Sequence, residues 1–330
     1  MQHRLRCAAD YRCKHWRGGA IDNRAHVTAE EFSELFRTVS AWGRWGEGDQ
    51  RGALHYLTPE RVTAAAGLVR TGITVSLSLP VAIEADPANP EPADHHMTML
   101  GDTDIGSGSL RFAKDYFGAD YHNDGHTHID ALCHVSYQGS LYNGQSADSV
   151  TEKGADVDAI SVLRNGLVGR GVLLDVPRLR GASWLEPGEH VFREDLEAAE
   201  RAQDVRVEEG DILLIRTGLA RRLRELGPWD TTTAKAGLHP TAMTFVSERR
   251  VSALGSDGNS DTAPSSTDGV AFPIHVLALN AMGVHLFDYL QFEDLVTRCE
   301  EAGRWEFLFA AAPLRVQRGT GSPVNPLAVF

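Results

Sequence analysis

Cysteine is scarce in this chain. Cys7, Cys13, Cys133 and Cys299 are the only four in 330 residues. They build no disulfide framework, and no Cys-x-x-Cys pair marks a zinc finger. This usage fits a cytoplasmic location. Long apolar runs are missing too: nowhere do eighteen apolar residues follow one another, and the charged N-terminus has no uninterrupted apolar stretch of signal-peptide length. Neither membrane spanning nor secretion is therefore expected. A basic excess is absent as well, since 32 Lys and Arg face 45 Asp and Glu for a net charge of −13. Phosphate binding needs a basic surface that releases counterions, so a nucleic-acid partner is excluded. No internal repeat is present. What remains, 42% hydrophobic and 23% charged, is ordinary globular material with enough length for a sizeable core.

What the sequence has instead is histidine in one place. From His122 to His134 the chain reads His-Asn-Asp-Gly-His-Thr-His-Ile-Asp-Ala-Leu-Cys-His, with four of the fourteen histidines in thirteen residues. His or Asp occupies positions 122, 124, 126, 128, 130 and 134, all of one parity. In an extended strand such residues line one face. Imidazole and carboxylate are the nitrogen and oxygen ligands that zinc or manganese accept, and a cation offsets the desolvation of clustered acids. Ile129, Ala131 and Cys133 point the other way, so Cys133 reads as core rather than as a nucleophile.

Thr127-His128-x-Asp130-x-Leu132-x-His134 resembles the signature His-x-Gly-Thr-His-x-Asp-x-Pro-x-His of the metal-dependent cyclase and kynurenine formamidase-like hydrolases, with Leu132 in place of the proline. In strict register Asp124 stands where the first histidine falls and His126 where the glycine falls. Either a turn two residues longer brings His122 into the first-ligand role, or His126 serves directly. The similarity runs in patches from about Trp42 to Pro326. It implies a swivelling β/β/α cyclase-like α/β domain with a mixed sheet and flanking helices, and a homodimer or homotetramer, with a neighbour's aromatic residue as a further element closing the site.

Residues 1 to about 25 carry Arg4, Arg6, Arg12, Lys14, Arg17 and Arg24 and read as a basic arm. Thr28 with Glu30 and Glu31 opens a short helix, so residues 1–40 form an arm plus helix and 41–330 a single metal hydrolase domain. Trp42 and Trp45 beside glycines suit core packing or an aromatic pocket wall. Thr58-Pro59-Glu60 starts a second helix. Ile73 to Leu79 alternates as a half-buried strand. Pro80 to Gly108 reads as a long loop bordering the site, with His95 and His96 in it.

Tyr137 to Gly144 ends in an Asn-Gly turn. Gly171–Pro177 and Gly210–Gly218 are apolar runs without alternation, hence buried strands flanking a helix over Glu194–Ala202. Asp175 and Arg216 either line a cleft at the strand ends or pair within the fold. Asp257, after a short strand from Val251, is either a polar pocket wall or an Asx turn. Gly218 to Pro240 carries no assignment.

In Pro273-Ile-His275…Gly283-Val-His285-Leu-Phe-Asp288, His275 opens a helix and Asp288 follows the next strand. His285 shares its parity with Phe287 and reads as core. In the resembling family the helix-opening histidine and the acid after the strand, usually Glu, complete the metal site. The candidate ligands are thus His122, His126, His128, Asp130, His275 and Asp288 for one or two zinc or manganese ions. His134 lies outside the tight i, i+2 run and suits a general acid and base, the role of the matching histidine in that family. A divalent ion acidifies water and polarises a carbonyl. The expected activity is hydrolysis of an amide, formamide or lactam C–N bond in a small molecule, with esters and lactones next. A lyase or ring-forming cyclase, and a non-catalytic metal-binding protein, are the alternatives.

Overall fold

A computed structural model describes residues 25–102 and 110–330. The basic arm expected before residue 25 lies outside the described residues. The chain contributes strands β1 (Thr74–Ser76), β2 (Asp94–Met99), β3 (Lys114–Gly118), β4 (His128–Asp130), β5 (Val150–Thr151), β6 (Gly154–Ala155), β7 (Leu167–Asp175) and β8 (His190–Val191). Beyond them come β9 (Ile212–Arg216), β10 (Gly237–Leu238), β11 (Ala253–Ser256), β12 (His285–Asp288), β13 (Glu306–Ala311), β14 (Gly321–Pro323) and β15 (Leu327–Val329).

Nine of them form one mixed sheet in the order β1-β15-β13-β7-β9-β11-β12-β4-β14. Its centre, β7, β9, β11 and β12, is parallel. The unalternating runs predicted this: Leu173, Leu174 and Ile212 to Ile215 are buried because helices cover both faces of a parallel sheet. On the far side β4 and β14 join antiparallel, which places the histidine run beside β12. The α/β expectation with a mixed sheet and flanking helices therefore holds.

The helix Ala29–Val39 opens with a capping box in which Thr28 Oγ1 accepts from the Glu31 N–H at 3.2 Å and the Thr28 N–H donates to Glu31 at 2.8 Å. Its Phe32 and Val39 enter the core. Pro59–Ala66 starts on Thr58 with proline at the first position, where a missing N–H costs nothing. Among the described residues no helix is long and apolar enough to cross a membrane.

Two local expectations change. The strand expected over Ile73–Leu79 is only Thr74–Ser76, because β1 is the sheet edge and pairs with β15 alone. Within the loop expected over 80–108, β2 forms a hairpin with β3, so His95 and His96 are strand residues bonded to Asp115 (3.0 Å) and Asp94 (2.9 Å). Cross-strand pairing was hidden because the partner strand lies beyond the apparent loop.

Asp158 stands apart in the core. It is fully buried, neither carboxylate oxygen has a partner among the described residues, and burial beside Asp49 pushes its pKa up to about 7. Between the ordinary value of 3.8 and that raised value the folded chain holds a proton that the unfolded chain has lost. This group's contribution is therefore fully present below the unfolded value and disappears as pH rises through about 7. Residue 158 has φ of +56°, a region asparagine tolerates. Asp158→Asn should raise the thermal midpoint at pH 8, by about 2 °C per kcal/mol recovered at this chain length, and change it little at pH 4. An equal shift at both pH values would contradict this account.

Candidate metal centre

The antiparallel register of β4 against β12 sets His128 directly opposite Asp288, so the two side chains share a face of the sheet. Asp130, two residues along, shares that face too. The segment led by Pro273 then delivers His275 to the same point. Its Nε2 lies 3.5 Å from Asp130 Oδ2 and 3.4 Å from Asp288 Oδ2. His128 Nε2 is 3.5 Å from Asp130 Oδ1 and 3.9 Å from Asp288 Oδ2. His122 Nδ1 lies 2.9 Å from Asp130 Oδ1. These contacts bring together groups more than 140 positions apart in sequence.

The alignment of these atoms is not that of hydrogen bonds. Both oxygens of Asp130, Oδ1 of Asp288 and Nδ1 of His122 are buried without a hydrogen-bond partner among the described residues. Lone pairs that converge without a shared proton fit a cation: ligand atoms at about 2.1 Å from one ion stand about 3 to 3.5 Å from each other. Two overlapping groups have ligand atoms within 4.8 Å of one another, one of His128, Asp130 and Asp288, the other of His122, Asp130 and His134. Asp130 is common to both.

Each imidazole is also turned by an outer partner. His128 Nδ1 donates to the His126 carbonyl at 2.8 Å, which leaves Nε2 as a lone-pair donor toward the acids. His275 Nδ1 is held by Asp261 Oδ2 at 2.6 Å, and His122 Nε2 meets Thr320 Oγ1 at 3.0 Å. One ring nitrogen tied outward and the other facing inward is how proteins orient metal-binding histidines. Burial disfavours the charged form of His275, yet the carboxylates of Asp130, Asp261 and Asp288 outweigh it and raise its pKa well above the usual value. Burial likewise opposes ionisation of Asp130, but the surrounding histidines hold its pKa well below the ordinary range. For Asp288 burial prevails and the pKa is raised. A buried nest of this charge pattern suits a divalent ion.

His134 occupies the open side. The backbone turns after β4, with the His134 N–H donating to the Ala131 carbonyl at 3.0 Å, and its ring stacks on His122 at 3.9 Å between centroids and 5° between planes. His122 and His134 are half-buried while His128, Asp130, His275 and Asp288 are buried, so approach is over the two stacked rings. Tyr121 packs on His122 at 4.6 Å, and the exposed Phe272 lies 5.7 Å from His275. Burial pushes the His134 pKa down to about 4.

His126 stays outside both groups of converging ligand atoms. The strand begins only at His128, and the turn before it swings His122 in and turns His126 toward Glu91 and Asp120, with Nε2 unpartnered. Alternation onto one face therefore holds at 128 and 130 but not over 122–126, where the backbone is not extended. Asp124 is bound instead by Lys235. His285 is core, donating from Nδ1 to the Asp130 carbonyl at 2.8 Å. The Cys133 thiol is buried, which pushes its pKa up to about 12.

Five other candidates take fold-building roles. Asp257 accepts from the N–H groups of Thr217, Gly218 and Leu219 at 2.7, 2.7 and 3.1 Å and so caps a helix start, which overturns its reading as a pocket wall. Asp175 pairs with Arg216 at 3.0 Å, and Arg216 also grips Glu293. Trp42, exposed on one side, donates to the Asn280 carbonyl at 2.6 Å, and Trp45 stacks on His55.

Sequence reading missed Asp261, Thr320, Lys235 and Tyr289. Asp261 stands two residues before the Ala263-Pro264 step, in a Ser/Asn/Asp-rich stretch that reads as a turn, and only the fold shows that it supports His275.

A family model described as Putative cyclase matches residues 75–261, more than half of the chain. A crystal structure described as that of a novel cyclase is 34% identical, with a TM-score of 0.82, covering 89% of this chain and 99% of that one. The chain belongs to this cyclase family. Its mixed sheet with flanking helices is the cyclase-like fold. An isatin hydrolase bound to the product analogue thioisatinate is similar to this cyclase-family chain at 21% identity and a TM-score of 0.54, covering 80% of this chain and 94% of the other. A predicted metal-dependent hydrolase from Bacillus stearothermophilus is 16% identical with a TM-score of 0.50, covering 78% and 98%. At those identities the likeness is one of fold. No curated protein matches the chain.

Proposed function

We propose that this chain is a metal-dependent hydrolase opening an amide, formamide or lactam C–N bond of a small molecule, with ester and lactone cleavage as the nearest related chemistry. The observation that carries the reading is Asp130: fully buried, with both oxygens facing ring nitrogens from separate segments and neither in a hydrogen bond. His122, His128, Asp130, His275 and Asp288 would hold one or two zinc or manganese ions. Such an ion supplies Lewis acidity, polarising a carbonyl and acidifying water. The chain supplies the rest. Asp261 and Thr320 keep His275 and His122 aimed inward. His134, neutral at pH 7 and on the open side, takes a proton from the attacking water and returns it to the leaving nitrogen. Phe272 at the rim suits an aryl or cyclic substrate, and one solved fold neighbour is named for hydrolysing isatin, a lactam.

Product mass tests this reading. Incubation with a panel of amides, formamides, lactams and esters should give products heavier than substrate by one water, counted over all fragments. Turnover without added water would instead assign a lyase or ring-forming cyclase. Tight metal binding with no turnover on any member would assign a non-catalytic metal-binding protein.

A homodimer or homotetramer in the cytoplasm is part of the same proposal. Among the described residues the β2–β3 hairpin joins no larger sheet, and it exposes Met97, Tyr116 and Phe117. A two-stranded hairpin is marginal alone in water, so covering it with a second copy stabilises it. Sedimentation equilibrium should give a multiple of 36.0 kDa, and a lone 36.0 kDa species at micromolar concentration would contradict it.

A further inference from the structure

Asp124 belongs to the histidine and acid run by parity, yet it sits in neither group of converging ligand atoms. Its Oδ2 accepts from Thr231 Oγ1 at 2.6 Å and from Lys235 Nζ at 3.1 Å. Lys235 is 3% exposed, and its ammonium also donates to the Tyr289 hydroxyl at 2.9 Å. Tyr289 directly follows Asp288, and its ring faces that of His128 at 6.4 Å and 28°. The backbone of Lys235 bonds Ala263 in both directions, at 3.1 and 3.0 Å, two residues after Asp261. One lysine thus ties together the run that carries His122, His128 and Asp130, the strand end that carries Asp288, and the segment that carries Asp261.

A buried ammonium is costly unless paired, so its position calls for a reason. Arg216 is the other buried Lys or Arg among the described residues, and Asp175 and Glu293 both bind it in the fold. Lys235 instead pairs with Asp124, from the run that carries His122, His128 and Asp130, and bonds the hydroxyl of Tyr289, the residue after Asp288. We propose that Lys235 is a positioning residue which keeps Asp124 out of the ion's ligand set and, with it, fixes the charge that the ion meets. This rests on the metal-binding reading above. Without the ammonium, Asp124 keeps its Thr231 bond but is a carboxylate with no balancing charge in the run that carries the candidate ligands. Without Asp124, the ammonium is an unpaired positive charge beside the same run.

The two single substitutions should therefore move metal affinity in opposite directions. Full-length wild type, Lys235→Met, Asp124→Asn and the double variant are titrated by chelator competition with manganese(II) or zinc(II), whichever wild type holds more tightly. Lys235→Met should bind about ten-fold tighter or more, Asp124→Asn about ten-fold weaker, and the double variant within a few-fold of wild type. A merely structural lysine would weaken binding in both single variants. Weakening in both, or no change in either, overturns the proposal while leaving metal binding intact. A wild-type chain that holds neither ion overturns the metal reading and this proposal with it. If Lys235→Met does not fold, the comparison of Asp124→Asn with the double variant decides: the double variant must bind about ten-fold tighter.

Discussion

Replacing His134 by alanine should lower kcat by about 10² to 10⁴, the usual span for loss of a general acid or base, while metal content stays at the wild-type level. The geometry gives the reason. His134 follows β4 in a turn, its ring lies flat on His122, and it is one of the two half-buried members of a set otherwise sealed in the core. Burial holds its pKa down at about 4, so the ring is a neutral base across the neutral range. The rate should accordingly hold across the neutral range and fall on acidification toward that value. His134 also lies within ligand distance of His122 and Asp130, so the competing role is definite. Loss of the ion together with activity would make His134 a ligand.

Asp130→Asn should cost far more in binding than in folding. The substitution keeps the shape of the side chain and the backbone carbonyl that accepts from His285. It removes the one carboxylate common to both groups of converging ligand atoms. An amide offers a single acceptor oxygen and presents N–H groups to histidine lone pairs that face inward. Apparent metal affinity should fall by at least about 100-fold, the upper end of what loss of a supporting residue costs, and hydrolysis should fall with it. The thermal midpoint of the metal-free protein should fall, because the surrounding histidines that hold the Asp130 pKa down lose the carboxylate that pairs with them. Metal retained at wild-type affinity would remove Asp130 from the centre.

Much of this was legible in the chain itself. Unbroken apolar runs at 171–177 and 210–218 announced the parallel centre of the sheet, and Thr28 and Thr58 marked helix starts by the chemistry of their side chains. At the site, residue type and spacing in 122–134 were enough to expect a cation. Parity was a sound guide where the strand is real, at His128 and Asp130. It failed at His126 because a turn precedes the strand, and turns do not keep the two-residue period.

Asp261, Thr320, Lys235 and Tyr289 were beyond sequence reading for another reason. Each acts through a contact more than ten positions away, and neither composition nor periodicity encodes such pairs. The β2–β3 pairing was obscured in the same way, by a long intervening segment rich in Pro, Asp and Gly.

Elemental analysis of the purified full-length chain, before and after exhaustive chelation, tests the central claim most directly. The account predicts one or two equivalents of zinc or manganese per chain, hydrolysis lost when they are stripped, and hydrolysis regained when either ion is returned. Undiminished hydrolysis by protein shown to be free of metal would contradict it.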